Sequence, residues 1–373
     1  MHPVFDTRIF KKECATLARA GFDVVLVAPH GQDELADGIQ IRAVAKSKNR
    51  LERIFRTGRR VVARAKQERP LVYHIHDPEL LLWTLPLRLS GQTVIYDMHE
   101  DLPKSLLTKP WLAPWMRKPL SVTLGVLERL LLAAMPVVFA EHSYARDRQW
   151  KKGAATVLNL PLVDELIAID EPKHSEFTVC YLGSVSPERG AVIMLEAIDL
   201  LAKSGRPANF DCIGPATPEH RSYLFDRKST VEGNVRMDGE RVLPQEVWRR
   251  ASRCHVGLAV LAGSPNHRES YPTKLFEYMA LGLPVIASDF PLYRDVVEGS
   301  QCGLCIEPKP DQLQNAIAWL QDNPEKAAAF GQAGRKAVKE RYNWHGEGQK
   351  LIELYRQLLP GQDPLASACG SSS

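Results

Sequence analysis

The sequence predicts an α/β protein of two doubly wound, Rossmann-like domains. Three observations predict it. Short apolar runs that read as buried strands alternate with amphipathic runs of helical period along nearly the whole chain, which is how parallel sheets with helices on both faces are encoded. The alternation fades once, over residues 163–175, into acidic, Pro-containing sequence that reads as a linker. At 373 residues the chain is also too long for one ordinary domain and long enough for two cores.

The elements follow in order. Thr7–Ala20 has helical spacing (Ile9, Phe10, Cys14, Leu17, Ala18) and stops at Gly21. Asp23–Ala28 and Ile39–Val44 read as strands, Leu51–Gln67 as a basic helix, and Leu71–Ile75 as a strand ending in His74-Ile75-His76-Asp77-Pro78. Helix Glu79–Leu89 leads to strand Thr93–Tyr96, which ends in Asp97-Met98-His99-Glu100-Asp101. Val137–Ala140 and Ala155–Leu158 close the first set. The second set has strands Thr178–Leu182, Asn209–Ile213, Val235–Met237 and Val256–Val260. Helices Ala191–Lys203, Glu219–Arg227 and Pro244–Ala251 lie between them. Helices Pro310–Asn323, Pro324–Arg341 and His345–Leu359 follow. The expected organisation is an N-terminal domain 1–165, a C-terminal domain 176–344, a helix 345–360 returning toward the first domain, and a disordered tail 361–373.

Composition narrows the function classes. Hydrophobic content of 45% and charged content of 25% are those of a soluble globular protein. A net charge of +4, from 48 basic and 44 acidic residues, is too mild to imply nucleic acid. No apolar run of 18 residues predicts a membrane span, and no signal peptide is expected. The seven cysteines show no zinc-like spacing. Cys302-Gly303-Leu304-Cys305 lacks a second pair and reads as small apolar strand residues. Scattered reduced cysteines favour the cytoplasm.

The segment from Arg268 to Asp289 carries most of the chemistry. It reads as a polar loop, a short amphipathic helix, a Gly-Leu-Pro turn and a buried strand, with Glu269 in the loop and Glu277 on the helix. A helix N-terminus after such a loop offers free backbone N–H groups to an anion. Lys274 adds a compact positive charge, and carboxylates accept hydrogen bonds from sugar hydroxyls. A ligand with both phosphate and sugar is indicated.

This segment resembles the donor-binding signature of the retaining family 4 glycosyltransferases, E-x7-E followed by A-x-G-x-P-V-I. The likeness extends along nearly the whole chain and implies the GT-B fold, two doubly wound domains facing across a cleft. It implies transfer of a sugar from a nucleotide sugar to a glycan or lipid-linked acceptor in cell-envelope polysaccharide synthesis. In this likeness the N-terminal domain takes the acceptor and the C-terminal domain the donor. Glu269 would hold donor sugar hydroxyls and Glu277 the ribose. Arg189, Lys274 and the backbone of Pro272, Thr273, Lys274 and Leu275 would meet the diphosphate.

Gly183-Ser184-Val185-Ser186-Pro187-Glu188-Arg189-Gly190 stands where the family pattern is G-R-x-x-x-x-K-G, so Arg189 replaces the Lys and Ser184 the Arg. Gly214 ends the strand where the nucleobase commonly packs. His99 matches the family's histidine at the donor sugar. Asp6, Arg8, His76, Asp77 and Glu100 go to the acceptor side, while His74 reads as a packed residue. Thr7 reads equally as a helix cap or a ligand contact. No D-x-D motif is present, so neither a metal nor another cofactor is expected to be required. The family usually opens with a buried strand before the first helix. This chain begins in the loop that follows, and a less stable open sheet is expected. The rival expectations are a catalytically impaired sugar-binding or scaffolding relative and a nucleotide-sugar epimerase.

A peripheral membrane surface is the remaining expectation. Between Lys46 and Lys66 stand nine basic residues and one acid, Glu52, with Arg53, Arg56, Arg60 and Arg64 along one side. Lys104, Lys109, Trp111, Trp115, Arg117 and Lys118 precede the apolar stretch Leu120–Met135. Basic residues with tryptophans suit an anionic interface on the inner face of the plasma membrane. A solvated basic face and a buried core helix give the same pattern.

Overall fold

The computed structural model describes residues 2–107, 112–133, 135–148, 153–228, 231, 233–263 and 265–360. Lys109, Trp111 and the tail 361–373 lie outside the described residues. The chain divides into two compact units, Met1–Asn159 with His345–Ser373, and Leu160–Trp344.

In the first unit, α1 opens with π-helical turns over Thr7–Cys14 and continues as Ala15–Arg19. Asp6, not Thr7, caps it. The Asp6 carboxylate accepts from the amides of Arg8 and Ile9 at 2.9 and 3.1 Å. Asp6 has the extended backbone that a cap needs, and Thr7 already lies inside the helix. The strands form two sheets. In the first, β1 (Val25–Pro29) pairs in parallel with β3 (Ile39–Val44), and β2 (Glu34–Ala36) runs antiparallel on the far side of β3. The β2–β3 hairpin turns through Asp37 and Gly38, both with positive φ, the backbone of a two-residue hairpin turn. The second sheet is parallel, in the order β4 (Val72–Ile75), β5 (Thr93–Met98), β6 (Val137–Phe139), β7 (Ala154–Thr156). Strand β5 runs past Tyr96, so Asp97 is part of the sheet.

Helix α2 joins the two sheets as one run, Arg50–Glu52, Arg53–Thr57 and Gly58–Gln67. Helix α3 (Leu80–Leu89) precedes β5, α4 (Leu102–Leu106) and α5 (Pro114–Leu132) precede β6, and α6 (His142–Arg148) precedes β7. Two separate apolar clusters hold this unit. One includes Ile9, Phe10, Ile39 and Ile41, the other Ile75, Tyr96, Met98 and Phe139. Between β1 and β4 lies a cavity of about 470 Å³.

The second unit begins with α7 (Val163–Ile167), where a linker was expected. Val163 and Leu166, three apart, are its buried residues, so they form an apolar stripe within otherwise acidic sequence. One six-stranded parallel sheet follows, in the order β10-β9-β8-β11-β12-β13. Its strands are β8 (Thr178–Leu182), β9 (Asn209–Pro215), β10 (Val235–Gly239), β11 (Val256–Ala259), β12 (Val285–Ser288) and β13 (Gly303–Ile306). The helices between them are α8 (Ala191–Lys203), α9 (Pro218–Lys228), α10 (Pro244–Ser252), α11 (Pro265–Arg268), α12 (Thr273–Ala280) and α13 (Pro291–Val297). α14 (Pro310–Asp322) and α15 (Pro324–Glu340) end the unit. α16 (Trp344–Leu358) then packs in the first unit, where Glu347 accepts the Leu158 amide at 2.8 Å.

Candidate active site

The strand order of the second unit reverses between β8 and β11. In open parallel sheets, ligands bind outside the strand carboxyl ends at such a switch point. Two tight backbone approaches shape it. Gly190 has φ +80, and a Cβ there would stand 2.0 Å from the Val260 carbonyl oxygen after β11. Gly214 has φ +144, and its Cβ would stand 2.3 Å from the Gly183 carbonyl oxygen. Only glycine lets these loops close on each other.

Helix α12 is set over this point by Tyr278. Its buried hydroxyl accepts the Leu182 amide at 2.8 Å and donates to the Leu258 carbonyl at 3.1 Å, so one side chain ties α12 to both β8 and β11. That register places Lys274 at the loop after β8. The lysine is 5% exposed, and its Nζ has no hydrogen-bond partner. Nζ sits 3.6 Å over the Tyr181 ring, a cation–π contact. Burial, and then the positive charge of Arg189, push the Lys274 amine well below its ordinary pKa.

The expected backbone donors need correction. Pro272 has no N–H, and the Leu275 amide already donates to the Pro272 carbonyl at 3.0 Å. The uncapped N-terminus of α12 therefore offers the amides of Thr273 and Lys274. Glu277 is half-buried and accepts from Trp248 Nε1 at 3.4 Å. Glu269 is half-buried in the loop before α12, and Ser184 and Gly183 are exposed beside β8.

The first unit gathers its own cluster at the carboxyl ends of β4 and β5. Arg8 is 4% exposed. It donates to both Asp97 carboxylate oxygens at 3.1–3.3 Å and to the Val157 carbonyl at 3.0 Å. Its Nε also lies 2.8 Å from Glu13. Arg8 and Glu13 stand five residues apart, a spacing that the π-turns of α1 bring onto one face. Arg8, expected on the acceptor side, is thus enclosed and holds the two acids in place.

Glu13 is pushed well up by burial and by the neighbouring Asp97 charge. Asp97, although buried, is held well below the usual carboxylate range by Arg8 and His99. His99 is lowered to about 4, by burial first, and is therefore neutral near pH 7. Its Nε2 shares a hydrogen bond of 3.2 Å with His76 Nδ1. His74 stacks on His76 at 4.7 Å and bonds the Tyr355 hydroxyl at 3.0 Å. His2 approaches Asp6 at 3.6 Å and Asp77 at 3.9 Å. Glu100 is exposed. Glu13, His74, His76 and Asp97 offer ligand atoms within 4.8 Å of one another. Arg8 already brings to the two acids the positive charge that a cation would supply.

Glu13 and the packing roles of Tyr181, Tyr278 and Trp248 escaped the sequence reading. Of these only Glu13 had a signal, its five-residue spacing from Arg8, and that spacing has meaning only once a π-turn is known.

Two family descriptions match the chain, "Glycosyltransferase Family 4" over residues 8–155 and "Glycosyl transferases group 1" over residues 163–337. The chain belongs to the group 1, family 4 glycosyltransferases. It is 23% identical over 294 residues to the phosphatidyl-myo-inositol mannosyltransferase of Mycobacterium leprae, an alignment covering 76% of this chain and 72% of that protein. It is 22% identical over 187 residues to the alpha-D-kanosaminyltransferase of Streptomyces kanamyceticus, covering 48% of this chain and under half of that enzyme, 45%. The solved HepE of Anabaena in complex with UDP-glucose superposes with a TM-score of 0.65 at 14% identity, covering 86% of this chain and 87% of HepE. This glycosyltransferase thus has the GT-B fold, each unit a Rossmann-like set of parallel strands and helices.

Proposed function

We propose that the protein transfers a sugar, with retained configuration, from a nucleoside diphosphate sugar to a glycan or lipid-linked acceptor of the cell envelope. The observation that carries this reading is Lys274. An amine without a hydrogen-bond partner, buried at the switch point between a glycine-closed loop and an uncapped helix N-terminus, is an anion site awaiting charge.

In the proposed reaction the bond from the anomeric carbon to the diphosphate oxygen breaks. The acceptor hydroxyl oxygen bonds to that carbon from the same face, and the hydroxyl proton leaves with the departing phosphate. Negative charge grows on the phosphate as the bond breaks. Lys274, Arg189 and the amides of Thr273 and Lys274 meet it, which lowers the barrier. Because these groups supply the charge, no divalent ion is needed. Glu277 holds the ribose, Glu269 the donor sugar hydroxyls, and neutral His99 a hydroxyl of the transferred sugar. His76, Asp77 and Glu100 serve the acceptor. The names of the relatives support the reaction class, and the UDP-glucose bound to HepE supports a nucleotide sugar as donor.

A lipid-linked acceptor places the enzyme at a membrane, and α5 supports this. A buried core helix was one expectation for this stretch, but its buried residues are Glu128 and Leu132. Trp115, Val122, Val126 and Leu130 form an exposed stripe, with Trp115 76% exposed. Leu82, Leu85 and Leu89 of the adjoining α3 are exposed too. Lys118 and Arg129 flank the stripe, and Arg56, Arg59 and Arg60 of α2 are exposed. Among the described residues no helix is long and apolar enough to cross a membrane. We infer peripheral attachment to an anionic bilayer.

Thermal shift against UDP-, GDP-, ADP- and TDP-sugars tests the donor, followed by transfer assays with the best binder. Stabilisation by none of the four would overturn the reading.

A further inference from the structure

Arg8, Glu13 and Asp97 enclose more negative charge than positive. Glu13 is 1% exposed, Arg8 4%, and Asp97 is fully buried. With both acids ionised, one guanidinium leaves a surplus negative charge inside the first unit, which burial makes costly. The neighbouring rings of His74 and His99 do not offset it, because burial holds both neutral.

The hydrogen bonds show which acid carries the charge. Arg8 Nε and Nη2 donate to Asp97 and engage both of its oxygens. Arg8 Nε is nearer to Glu13, at 2.8 Å, yet its N–H is directed at Asp97. Among the described residues no donor reaches either Glu13 oxygen in bonding geometry. A buried carboxylate without a donor is unfavourable, whereas a carboxylic acid needs only an acceptor for its O–H. Asp97 is that acceptor, since the two side chains lie within hydrogen-bonding reach. Burial, then the Asp97 charge, push Glu13 well up. Asp97, although buried, is held well down, first by Arg8. Two acids that share a site diverge in this way.

We propose that one proton is shared by this pair and carried on Glu13, which makes Glu13 a positioning residue for His99. Asp97 stands 3.6 Å from His99 Nε2 and 3.7 Å from His76 Nδ1, the two atoms joined by the histidine hydrogen bond. With Glu13 protonated, Arg8 and Asp97 balance. With Glu13 ionised, the surplus charge would lie beside His99 and favour a cationic ring. A cationic ring donates from both nitrogens and accepts at neither. Glu13 thus keeps His99 neutral and in one orientation. Its effect on turnover rests on the reading of His99 as a contact of the transferred sugar.

Infrared difference spectroscopy of the full chain near neutral pH, wild type against Glu13→Gln, tests the proton without any substrate. The band of a protonated carboxylic acid should be present in wild type and absent from the variant. Asp97→Asn should remove it too, because Arg8 then pairs with an ionised Glu13. Nitrogen NMR should show a neutral His99 ring in wild type and in Glu13→Gln, whose amide donates to Asp97 as the acid does. In transfer assays Glu13→Gln should keep most of kcat. Glu13→Ala should lower kcat by up to about a hundredfold with little change in nucleotide affinity. No carboxylic-acid band, or a band that survives Asp97→Asn, would overturn the shared proton. Glu13→Gln as impaired in kcat as Glu13→Ala, or a cationic His99 in wild type, would overturn the positioning role. If Glu13→Ala fails to fold, the infrared and NMR results on Glu13→Gln and Asp97→Asn still decide. They also decide if no nucleotide sugar is turned over, an outcome that sinks the donor reading instead. Stabilisation by zinc ion that Glu13→Gln abolishes would put a metal where the proton is assigned, and so overturn it.

Discussion

Replacing Lys274 with methionine separates a ligand-binding amine from a structural one. Methionine keeps an unbranched stem over Tyr181, with sulfur in place of one methylene, and removes the amine, which has a ring contact but no hydrogen-bond partner to lose. If the amine exists to meet diphosphate, its loss removes a charge-assisted hydrogen bond of about 1.5–3 kcal/mol. Affinity for the nucleoside diphosphate should then fall roughly 10- to 150-fold.

Folding should respond in the opposite sense. Burial and Arg189 depress the amine in the folded chain, whereas the unfolded chain holds it near 10.4. Between those values the unfolded state binds more protons, so Lys274 makes stability rise with pH across that window. Lys274→Met should flatten the rise and leave the melting temperature near neutrality equal or higher. Bound diphosphate reverses the depression, so wild type should take up protons on binding, and the variant fewer. Calorimetry in two buffers of different ionisation heat measures affinity and proton uptake together. Unchanged affinity, or a variant that melts several degrees lower, would refute the assignment.

Four further outcomes are expected. Glu277→Ala should lower turnover at least tenfold, about 1.4 kcal/mol, with an unchanged circular dichroism spectrum; retained turnover would misplace the ribose. His99→Asn should reduce turnover more than nucleotide affinity. It should also remove part of the stability loss as pH falls from about 6.5 toward about 4, because His99 is depressed when folded. Gly214→Ala should lose about 1–3 kcal/mol in denaturant titration, since its Cβ meets the Gly183 oxygen. Changing Trp115, Val126 and Leu130 to serine, or Arg56, Arg59 and Arg60 to glutamate, should weaken co-sedimentation with anionic liposomes. Salt should weaken it too, and equal binding to neutral vesicles would sink the membrane reading.

The second unit was the more legible from sequence. Strands such as Thr178–Leu182 are short apolar runs bounded by Gly or Pro, and Pro272 marks the start of α12. The first unit hid more, for identifiable reasons. Strand β2 went unread although Asp37-Gly38 is a strong hairpin signal, because Glu34–Ala36 is too short and polar to show a period. Helix α7 went unread because its apolar stripe is two residues within acidic sequence.

The Arg8–Asp97–Glu13 group could not be read at all. Its members come from a π-turn and the carboxyl end of a strand that propensity ends at Tyr96. Only tertiary structure brings them together. Helix α5 shows the converse. Its sequence allowed either a core helix or an interfacial one, since hydropathy alone does not say which neighbour covers an apolar stripe. Its deep burial falls on Glu128 and Leu132, and Glu128 is tied to Arg148 at 2.7 Å. The inner face thus joins a buried ion pair to the core leucine Leu132, and the outer face carries leucine, valine and tryptophan that nothing in the unit covers among the described residues. That outer stripe is what the proposed attachment to an anionic bilayer would bury, and the serine variants test it.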